Sequence, residues 1–303
     1  MLKSPAKVNL GLQIVGRRSD GYHLLESLFW PLNFCDDIEL EPAPSNSVEL
    51  LWTSDAPVPF PSLLQNEGNL VGKLMLGNFG WKPKNPWRIV IRKRIPLGGG
   101  LGGLSANVGT VLRFFVENGE LSLETAAQLC QRIGADVLFF LNPAPSWITG
   151  TGEKISRLKV SSELLHELFF LLLCFPKGTS TPALFKVYRE SQKVFSNPYD
   201  FPTQTDLNWP GFISFCSSTR NDLEKIAGEH YPLIESALLL LRQTKSIYSG
   251  LSGSGSTCFA VFKDLEDRQK GAKVLEAFCR DHQCRIVFTS SFVQQDQSAW
   301  SSS

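Results

Sequence analysis

The stretch IPLGGGLGGLSANVG, from Ile95 to Gly109, carries six glycines in fifteen residues. Before it, WRIVIRKRI at 87–95 alternates apolar and basic residues as a half-buried strand does, and after it residues 105–118 show helical apolar spacing. Glycine lets the backbone take positive φ and approach another group closely. A helix N-terminus offers free N–H groups and a partial positive charge. This order predicts an anion-binding loop, with Ser105 at the helix start as a cap or a phosphate or metal contact.

Two familiar nucleotide fingerprints do not fit this loop. Gly98, Gly100 and Gly103 formally satisfy G-x-G-x-x-G, but the dinucleotide fold needs a parallel βαβ unit, and here a second predicted helix at 123–133 follows the first. The Walker A motif is excluded because no Gly-Lys-Ser/Thr closes the loop. The remaining alternative to phosphate binding is a tight turn that packs a helix against a sheet.

Length and composition restrict the class of protein. A chain of 303 residues predicts two domains, and 43% hydrophobic with 19% charged residues indicates an ordered globular protein. The net charge of +1 predicts no nucleic-acid or membrane partner. We expect no signal peptide, because MLKSPAKVNL lacks an apolar core, and no membrane span, because the most apolar run, at 164–175, is too short and reads as a buried strand.

The cysteines predict a reducing compartment. Seven of them are scattered through mostly apolar segments, which is typical of a cytoplasmic protein with reduced thiols. Cys279, His282 and Cys284 lack a second ligand pair at metal-binding spacing, so we expect no dedicated metal site there.

The order of elements indicates an α+β protein in both halves, without regular βαβ alternation. We place a domain boundary near residue 157, giving domains 1–157 and 158–303. Strands are predicted at 5–15, 36–42, 48–53, 87–95, 168–175, 246–250, 257–262 and 284–292, with a hairpin-like return over 147–158. Helices are predicted at 69–80, 105–118, 123–133 with Ser122 as N-cap, from about 182, and at 221–228, 231–243 and 266–281. Residues 191–211 are predicted to be a polar loop.

Three polar features are candidates for chemistry. Lys7 and Asn9 alternate with apolar residues, so on a strand both face one side, either reaching solvent or lying in a cleft near an anion. Asp136 follows Gly134 and precedes an apolar segment, where it is either an N-cap or a desolvated catalytic carboxylate. The glycine–serine stretch at 249–257 precedes an apolar strand and alone would indicate a tight hairpin.

Together these features resemble the three motifs of the GHMP kinases. PAKVNL comes first, PLGGGLGGLSAN second and SGLSGSGS third, in the family's order. GRRSDGYH, IGADV, GTGEK, STPALF and NDLE extend the resemblance from Ser4 to about Phe262 and narrow it to the branch that phosphorylates a cytidine-diphosphate-linked methylerythritol. The resemblance implies a two-domain fold, with an N-terminal domain like ribosomal S5 domain 2, a ferredoxin-like C-terminal domain and the active site in the cleft between them.

The resemblance also implies roles for individual residues. Lys7 and Asp136 would be the catalytic pair. ATP would be bound by Asn69, Lys93, Pro96, Gly98, Gly99, Gly100, Leu101, Gly102, Gly103, Ser105 and Asn107. The acceptor would be bound by Asn9, Tyr22, His23, Asp136, Thr181, Phe185, Gly253 and Gly255, with Tyr22 and Phe185 stacking on the base. Mg²⁺ would arrive with ATP rather than in a dedicated cage, and the protein would be a monomer or a weak homodimer.

Four positions depart from the family pattern. Leu104 replaces a glycine, Ala106 a serine, Gly109 an alanine and Leu138 a proline. The lost hydroxyl at position 106 puts phosphate or metal binding there in doubt, and Leu104 requires a negative φ to avoid strain. The alternatives to the kinase are therefore a non-catalytic ligand-binding protein on the same fold and a GHMP kinase for another small alcohol.

Overall fold

The computed structural model describes residues 1–58, 69–191, 194–199 and 206–294. The first half of the chain contains strands β1 (Leu2–Arg17), β2 (His23–Pro42), β3 (Ser47–Trp52), β4 (Trp87–Lys93), β5 (Ser146–Thr149) and β6 (Lys154–Arg157), with helices α1 (Leu70–Met75), α2 (Gly103–Glu117), α3 (Leu123–Ile133) and α4 (Val137–Leu141). The strands form one sheet in the order β3-β4-β2-β5-β6, with β1 paired to β2. Only the β3–β4 pairing within it is parallel.

The second half carries an antiparallel sheet covered by helices. Its elements are α5 (Ser162–His166), β7 (Phe169–Cys174), α6 (Thr181–Ser191), α7 (Trp209–Ser218), α8 (Glu224–His230), α9 (Pro232–Arg242), β8 (Tyr248–Leu251), β9 (Cys258–Phe262), α10 (Leu265–His282) and β10 (Arg285–Ser290). The strand order β10-β7-β9-β8 is that of a ferredoxin-like sheet. The predicted α+β class and two-part architecture are confirmed.

The sequence of strand β7 is apolar at every position because both faces of the strand are buried. Phe170 and Leu172 face a core shared with β1, β2 and α7. Leu171 and Leu173 face a second core under α6, α8, α9 and α10. A strand buried on both faces needs apolar residues at every position. A third core lies between the first sheet and helices α1 to α4.

Several predicted boundaries are wrong. Strand β2 begins at His23 and not at residue 36. Its first half was not predicted because that half is largely buried and its apolar residues do not alternate with polar ones. Residues 164–166 belong to helix α5 and not to the predicted strand. Helix α7 lies partly inside the predicted loop, and its start signal, an Asn208 cap followed by proline, was missed. The predicted helix at 69–80 ends at Met75. Residues 192, 193 and 200–205 of the predicted loop lie outside the described residues.

The other predicted elements are confirmed within a few residues. Helix α3 has the predicted bounds, and Ser122 caps it by accepting a hydrogen bond from the Thr125 amide at 3.2 Å. Among the described residues, none of the helices is both long and apolar enough to cross a bilayer.

Candidate active site

Strand β1 presents polar groups on the face opposite the core it shares with the second sheet. Ala6, Val8 and Leu10 are buried in that core. Lys7 and Asn9, which alternate with them, line a cavity of about 650 Å³. The alternation predicted from sequence is therefore confirmed, and the lysine does not reach out to solvent, since its side chain is 4% exposed.

The Lys7 ammonium is held by three groups. It donates to Asn9 Oδ1 at 2.5 Å and to the Gly100 carbonyl at 3.0 Å, and it lies 3.6 Å from Asp136 Oδ2. It also sits 4.6 Å from the centre of the Phe29 ring. Burial lowers the pKa of Lys7, while the charge of Asp136 opposes this shift. The ammonium is thus a buried cation whose charge depends on a nearby carboxylate.

Asp136 is placed by the short helix α4, which it immediately precedes. Asp136 occupies the N-cap position of α4, as one of the two interpretations held, but its side chain makes no capping hydrogen bond. The carboxylate is 32% exposed and lines the cavity beside Lys7. A carboxylate freed from capping and open to a cavity is available to accept a proton.

The glycine loop turns its carbonyl groups toward the protein. Gly98 O accepts from the amides of Thr179 at 3.3 Å and Ser256 at 3.1 Å, and Gly99 O accepts from Thr257 N at 3.1 Å. Leu101 O accepts from the Lys7 amide at 3.0 Å. The carbonyls of the loop are therefore engaged by both halves of the protein.

Helix α2 begins two residues earlier than predicted. Gly102 is its N-cap with φ 72°, and the first helical hydrogen bond runs from Ala106 N to Gly102 O at 2.8 Å. The amides of Gly103, Leu104 and Ser105 therefore have no acceptor inside the helix. Ser105 is the third helical residue and not the cap, although its amide still belongs to the orphan set. The start of α2 thus carries three backbone amides without helical acceptors, directly after the glycine loop.

A buried ion pair supports this loop from below. Lys93 pairs with Asp36 and donates to Asn107 Oδ1 at 2.9 Å, and Asn107 Nδ2 donates to Ser4 Oγ at 3.0 Å. Lys93 and Asn107 were predicted to lie near the nucleotide. In this structure both are buried with their polar groups engaged by the protein, so they support the loop rather than line its open surface.

Asn69 is also turned inward. Its Oδ1 accepts from the Val71 amide at 3.0 Å and caps helix α1, and the residue is buried. Its Nδ2 is buried and has no partner among the described residues. Pro96 is buried just before the glycines. Neither of these predicted ATP contacts lines the cavity.

The third motif forms the hairpin between β8 and β9 and closes the cavity from the second half of the chain. Gly253 has φ 58°, and a Cβ there would lie 3.0 Å from Asn9 Oδ1, so glycine is required for this approach. Gly255, also predicted to line the cleft, instead packs against Leu251 and is not part of the cavity wall. The neighbouring Ser254 lines the cavity instead, and its hydroxyl lies 2.6 Å from the hydroxyl of Thr181.

A closed ring of hydrogen bonds joins all three motifs. Ser252 Oγ donates to Gly100 O at 2.8 Å and accepts a hydrogen bond from the backbone N–H of Asn9 at 3.3 Å. Gly100 O also accepts from Lys7, and Lys7 donates to Asn9. The three glycine- and lysine-containing motifs are therefore parts of one site.

The far end of the cavity is aromatic and positively charged. His23 stacks on Phe185, with ring centres 5.4 Å apart and planes 28° apart, and meets Tyr188 edge-on at 5.6 Å. Tyr22 lines the same end with most of its side chain exposed. Burial, followed by the charges of Arg17 and Arg189, lowers the pKa of His23. The imidazole is thus kept neutral near pH 7.

Sequence reasoning missed several residues of this site. They are the supporting carboxylate Asp36, the hydroxyls of Ser27, Ser252 and Ser254, and the cations Arg17, Lys186 and Arg189 on the cavity wall. The acidic pair that opens DDIELEP was a usable signal for Asp36, because a charged residue inside a predicted strand needs a partner. The serines carry no comparable signal.

The structure explains three of the four departures from the family pattern. Leu104 lies inside α2, and among the described non-glycine residues only Gln283 has positive φ, so Leu104 is unstrained. Ala106 is fully buried in a cluster with Phe140, so a hydroxyl there would face apolar side chains. A Cβ at Gly109 would lie 2.7 Å from the Cβ of Phe140. Nothing in the structure explains Leu138.

Comparison with known proteins agrees with this geometry. A family model described as GHMP kinases N terminal domain matches residues 69–142, and one described as GHMP kinases C terminal matches residues 212–281. The 4-diphosphocytidyl-2-C-methyl-D-erythritol kinase of Paracoccus denitrificans is 35% identical over 269 residues, covering 88% of each chain. That of Chelativorans sp. is 33% identical over 279 residues, covering 90% of each.

The solved structures agree with the sequence comparisons. A crystal structure of 4-(cytidine 5'-diphospho)-2C-methyl-D-erythritol kinase matches with a TM-score of 0.68 and 25% identity, covering 97% of this chain and 99% of that one. The chain therefore belongs to the GHMP kinase family, beside relatives named 4-diphosphocytidyl-2-C-methyl-D-erythritol kinase.

Proposed function

We propose that this protein transfers the terminal phosphoryl group of ATP to the 2-hydroxyl of 4-diphosphocytidyl-2-C-methyl-D-erythritol, giving the 2-phosphate in the non-mevalonate route to isoprenoids. One observation carries the proposal: a buried ammonium and a carboxylate 3.6 Å apart lie beside an anion-binding loop, in a cavity whose other end suits a base. The relatives' names supply the acceptor.

The nucleotide side depends on the glycine loop. The free amides at the start of α2 and the dipole of that helix would hold the ATP phosphates. Lys93, Asn107 and Asp36 keep the loop in shape from below. Asn69 remains a candidate for the adenine end, since its unpartnered Nδ2 is a donor that needs an acceptor.

The acceptor side depends on the aromatic end of the cavity. Tyr22 and Phe185 would stack on cytosine, and the neutral His23 offers one donor and one acceptor to its edge. Arg17, Lys186 and Arg189 supply positive charge for the diphosphate on the same wall. Asn9 and Thr181 would orient the methylerythritol end toward Lys7 and Asp136.

The chemistry then needs few participants. Phosphoryl transfer passes through a loose transition state, so positioning and charge stabilisation supply most of the catalysis. Asp136 accepts the proton of the attacking hydroxyl as that oxygen bonds to phosphorus. Lys7, 3.6 Å from Asp136 Oδ2, stabilises the charge that develops on the transferred group as the bond to the leaving ADP breaks.

The residues present fit a magnesium ion delivered with ATP. Among the described residues no three His, Cys, Asp or Glu side chains cluster as a metal site. Mg²⁺ commonly binds through one or two carboxylates plus substrate phosphates, and Asp136 is a carboxylate on the cavity wall. When bound, the ion would neutralise phosphate charge.

The setting follows from the same observations. All seven cysteines are free thiols, which supports the cytoplasm as the location of the protein. As the resemblance implies, the protein would be a monomer or a weak homodimer.

The test is an acceptor-dependence assay. ATP is converted to ADP only when the cytidyl-methylerythritol acceptor is present, and Asp136→Asn lowers kcat by roughly a hundredfold or more while nucleotide affinity is kept. Equal turnover with mevalonate or homoserine would point to another GHMP kinase. Nucleotide or acceptor binding without turnover would point to a ligand-binding protein, and an unchanged kcat in Asp136→Asn would remove that residue from the mechanism.

A further inference from the structure

Ser27 is a buried hydroxyl on strand β2 that none of the motifs contains. It is 3% exposed, and it lines the same cavity as Lys7 and Asn9. Its position lies opposite a bulge in β1, where the pairing register shifts between Leu10 and Gln13. A polar side chain buried beside a catalytic cation needs an account of its partners.

The hydroxyl of Ser27 has a single possible orientation. Ser27 Oγ lies 2.6 Å from the Gly11 carbonyl, which only accepts, so the hydroxyl proton points there. The Ser27 oxygen is then left to accept a hydrogen bond. Its partner, 2.9 Å away, is the side-chain amide nitrogen of Asn9. Ser27 therefore selects the NH₂ end of that amide.

This choice fixes the direction in which the lysine points. Because the Asn9 nitrogen faces Ser27, its oxygen faces Lys7, at 2.5 Å. A lysine ammonium has three protons, and two are taken by Asn9 Oδ1 and Gly100 O. The third is left for the side on which Asp136 lies, 3.6 Å away.

The bulge that supplies the anchoring carbonyl also depends on glycine. Gly11 has φ 75°, and a Cβ there would lie 1.9 Å from Thr219 Oγ1. The backbone turns at this point, and the Gly11 amide donates to the Tyr248 hydroxyl at 3.2 Å while its carbonyl meets Ser27. The anchor is thus held from the second half of the chain.

We propose that Ser27 is a positioning residue whose hydroxyl fixes the orientation of the Asn9 amide and, through it, the direction of the Lys7 ammonium toward Asp136 and the transferred phosphoryl group. The inference rests on the proposed kinase function for its kinetic consequence. The relay from Gly11 through Ser27 and Asn9 to Lys7 stands on the hydrogen bonds alone.

The experiment compares Ser27→Ala with Ser27→Thr, and uses Ser146→Ala as a matched control. Ser146 is buried on the neighbouring strand β5, and its hydroxyl donates to Ala144 O at 2.8 Å without touching Asn9. Ser27→Ala lowers kcat roughly tenfold, the size expected for one positioned hydrogen bond, and leaves the KM for ATP within about twofold. Ser27→Thr keeps the hydroxyl and restores most of kcat, and Ser146→Ala retains it.

A double-mutant cycle separates positioning from general structure. In an Asn9→Ala background, Ser27→Ala has no further effect on kcat, because the amide that it orients is gone. Additive losses, an unchanged kcat in Ser27→Ala, no recovery in Ser27→Thr or an equal loss in Ser146→Ala would each overturn the proposal.

A readout without turnover keeps the inference separate from the kinase proposal. Nitrogen-15 NMR of the Asn9 side-chain amide shows slow proton exchange in the parent protein and in Ser27→Thr, and fast exchange in Ser27→Ala. If the protein lacks acceptor-dependent activity but shows this pattern, the function fails and the relay holds. Equal exchange in the parent protein and in Ser27→Ala overturns the relay, whatever the activity.

Discussion

At the scale of the residue, the Lys7 ammonium is the buried charge on which the site depends. Its environment removes water, which disfavours the charged form, and supplies Asn9 Oδ1, Gly100 O and the Asp136 carboxylate in return. Burial is the larger influence, so the pKa is lowered from 10.5. The proton is therefore lost at a lower pH than from a free lysine.

This shift predicts the alkaline side of the pH profile. We expect kcat/KM to fall as pH rises through a value below 10.5, since the active form is the charged one. In Lys7→Arg the residual activity shows no such fall, because a guanidinium stays protonated. Initial rates measured between pH 7 and pH 11 check this, and a flat profile up to pH 10.5 in the parent protein would contradict it.

The same shift has a consequence for stability, with a defined sign. Between the lowered pKa and 10.5 the unfolded chain holds the Lys7 proton and the folded chain does not. The unfolded state then binds more protons, so the contribution of this group to the free energy of unfolding rises with pH in that window. Below the lowered pKa, the buried charge costs the folded state its full penalty.

At the scale of the element, the approach of helix α2 to α4 sets the position of the loop. Phe140, on α4, fills the space beneath two glycines of the second motif: a Cβ at Gly102 would lie 2.6 Å from its ring, and one at Gly109 2.7 Å from its Cβ. Helix α2, whose first amides have no helical acceptor, is thus held close to helix α4, which follows Asp136.

Replacing Gly109 tests this contact. Although alanine normally favours a helix by about 1 kcal/mol over glycine, we expect Gly109→Ala to lower the free energy of unfolding by roughly 1–3 kcal/mol, because overpacking against Phe140 outweighs propensity. Gly211→Ala, in α7 with no atom nearer than 3.4 Å to the new carbon, is the control and leaves stability unchanged or slightly raised. Urea denaturation measures both, and a stabilised Gly109→Ala would refute the packing argument.

Elements were predictable where one local pattern decides them. Helix α3 has a cap at Ser122 and a single apolar face, and both were visible in sequence. The first half of β2 was missed because it is buried on most of its length and does not alternate. Helix α7 was missed although Trp209, Phe212 and Phe215 have the spacing of one helix face, because the polar stretch before it was interpreted as a loop as far as residue 211.

At the scale of the molecule, one apolar core joins the two halves. Val8 and Trp30 of the first sheet pack with Phe170 of the second sheet and Phe212 of α7 in one cluster, and Trp30 Nε1 donates to Ser291 Oγ at 2.9 Å. Domains of one chain usually move relative to each other unless their interface is large and hydrophobic, and the cluster that joins these halves is apolar. The domain boundary near residue 157 remains a prediction, and it does not imply that the two halves fold independently.

A shared core predicts cooperative unfolding. We expect a single calorimetric transition for the whole chain, and Trp30→Ala to move that transition to lower temperature without splitting it, because truncating a fully buried aromatic side chain typically costs about 3–5 kcal/mol. Scanning calorimetry of both proteins decides this. Two resolved transitions in the parent protein would show that the halves fold separately.

The sequence by itself determined the local geometry of the site. The period of two on β1 puts Lys7 and Asn9 on one face, and the glycines followed by an apolar helix predict an anion-binding loop, because backbone geometry decides both. Tertiary structure decided which groups the site residues contact. Ser252 meets Gly100 from 152 residues away. Lys93 turns out to support the loop through Asp36, and Ser27 orients Asn9. Such contacts depend on how two sheets pack, and no spacing along the chain encodes that packing.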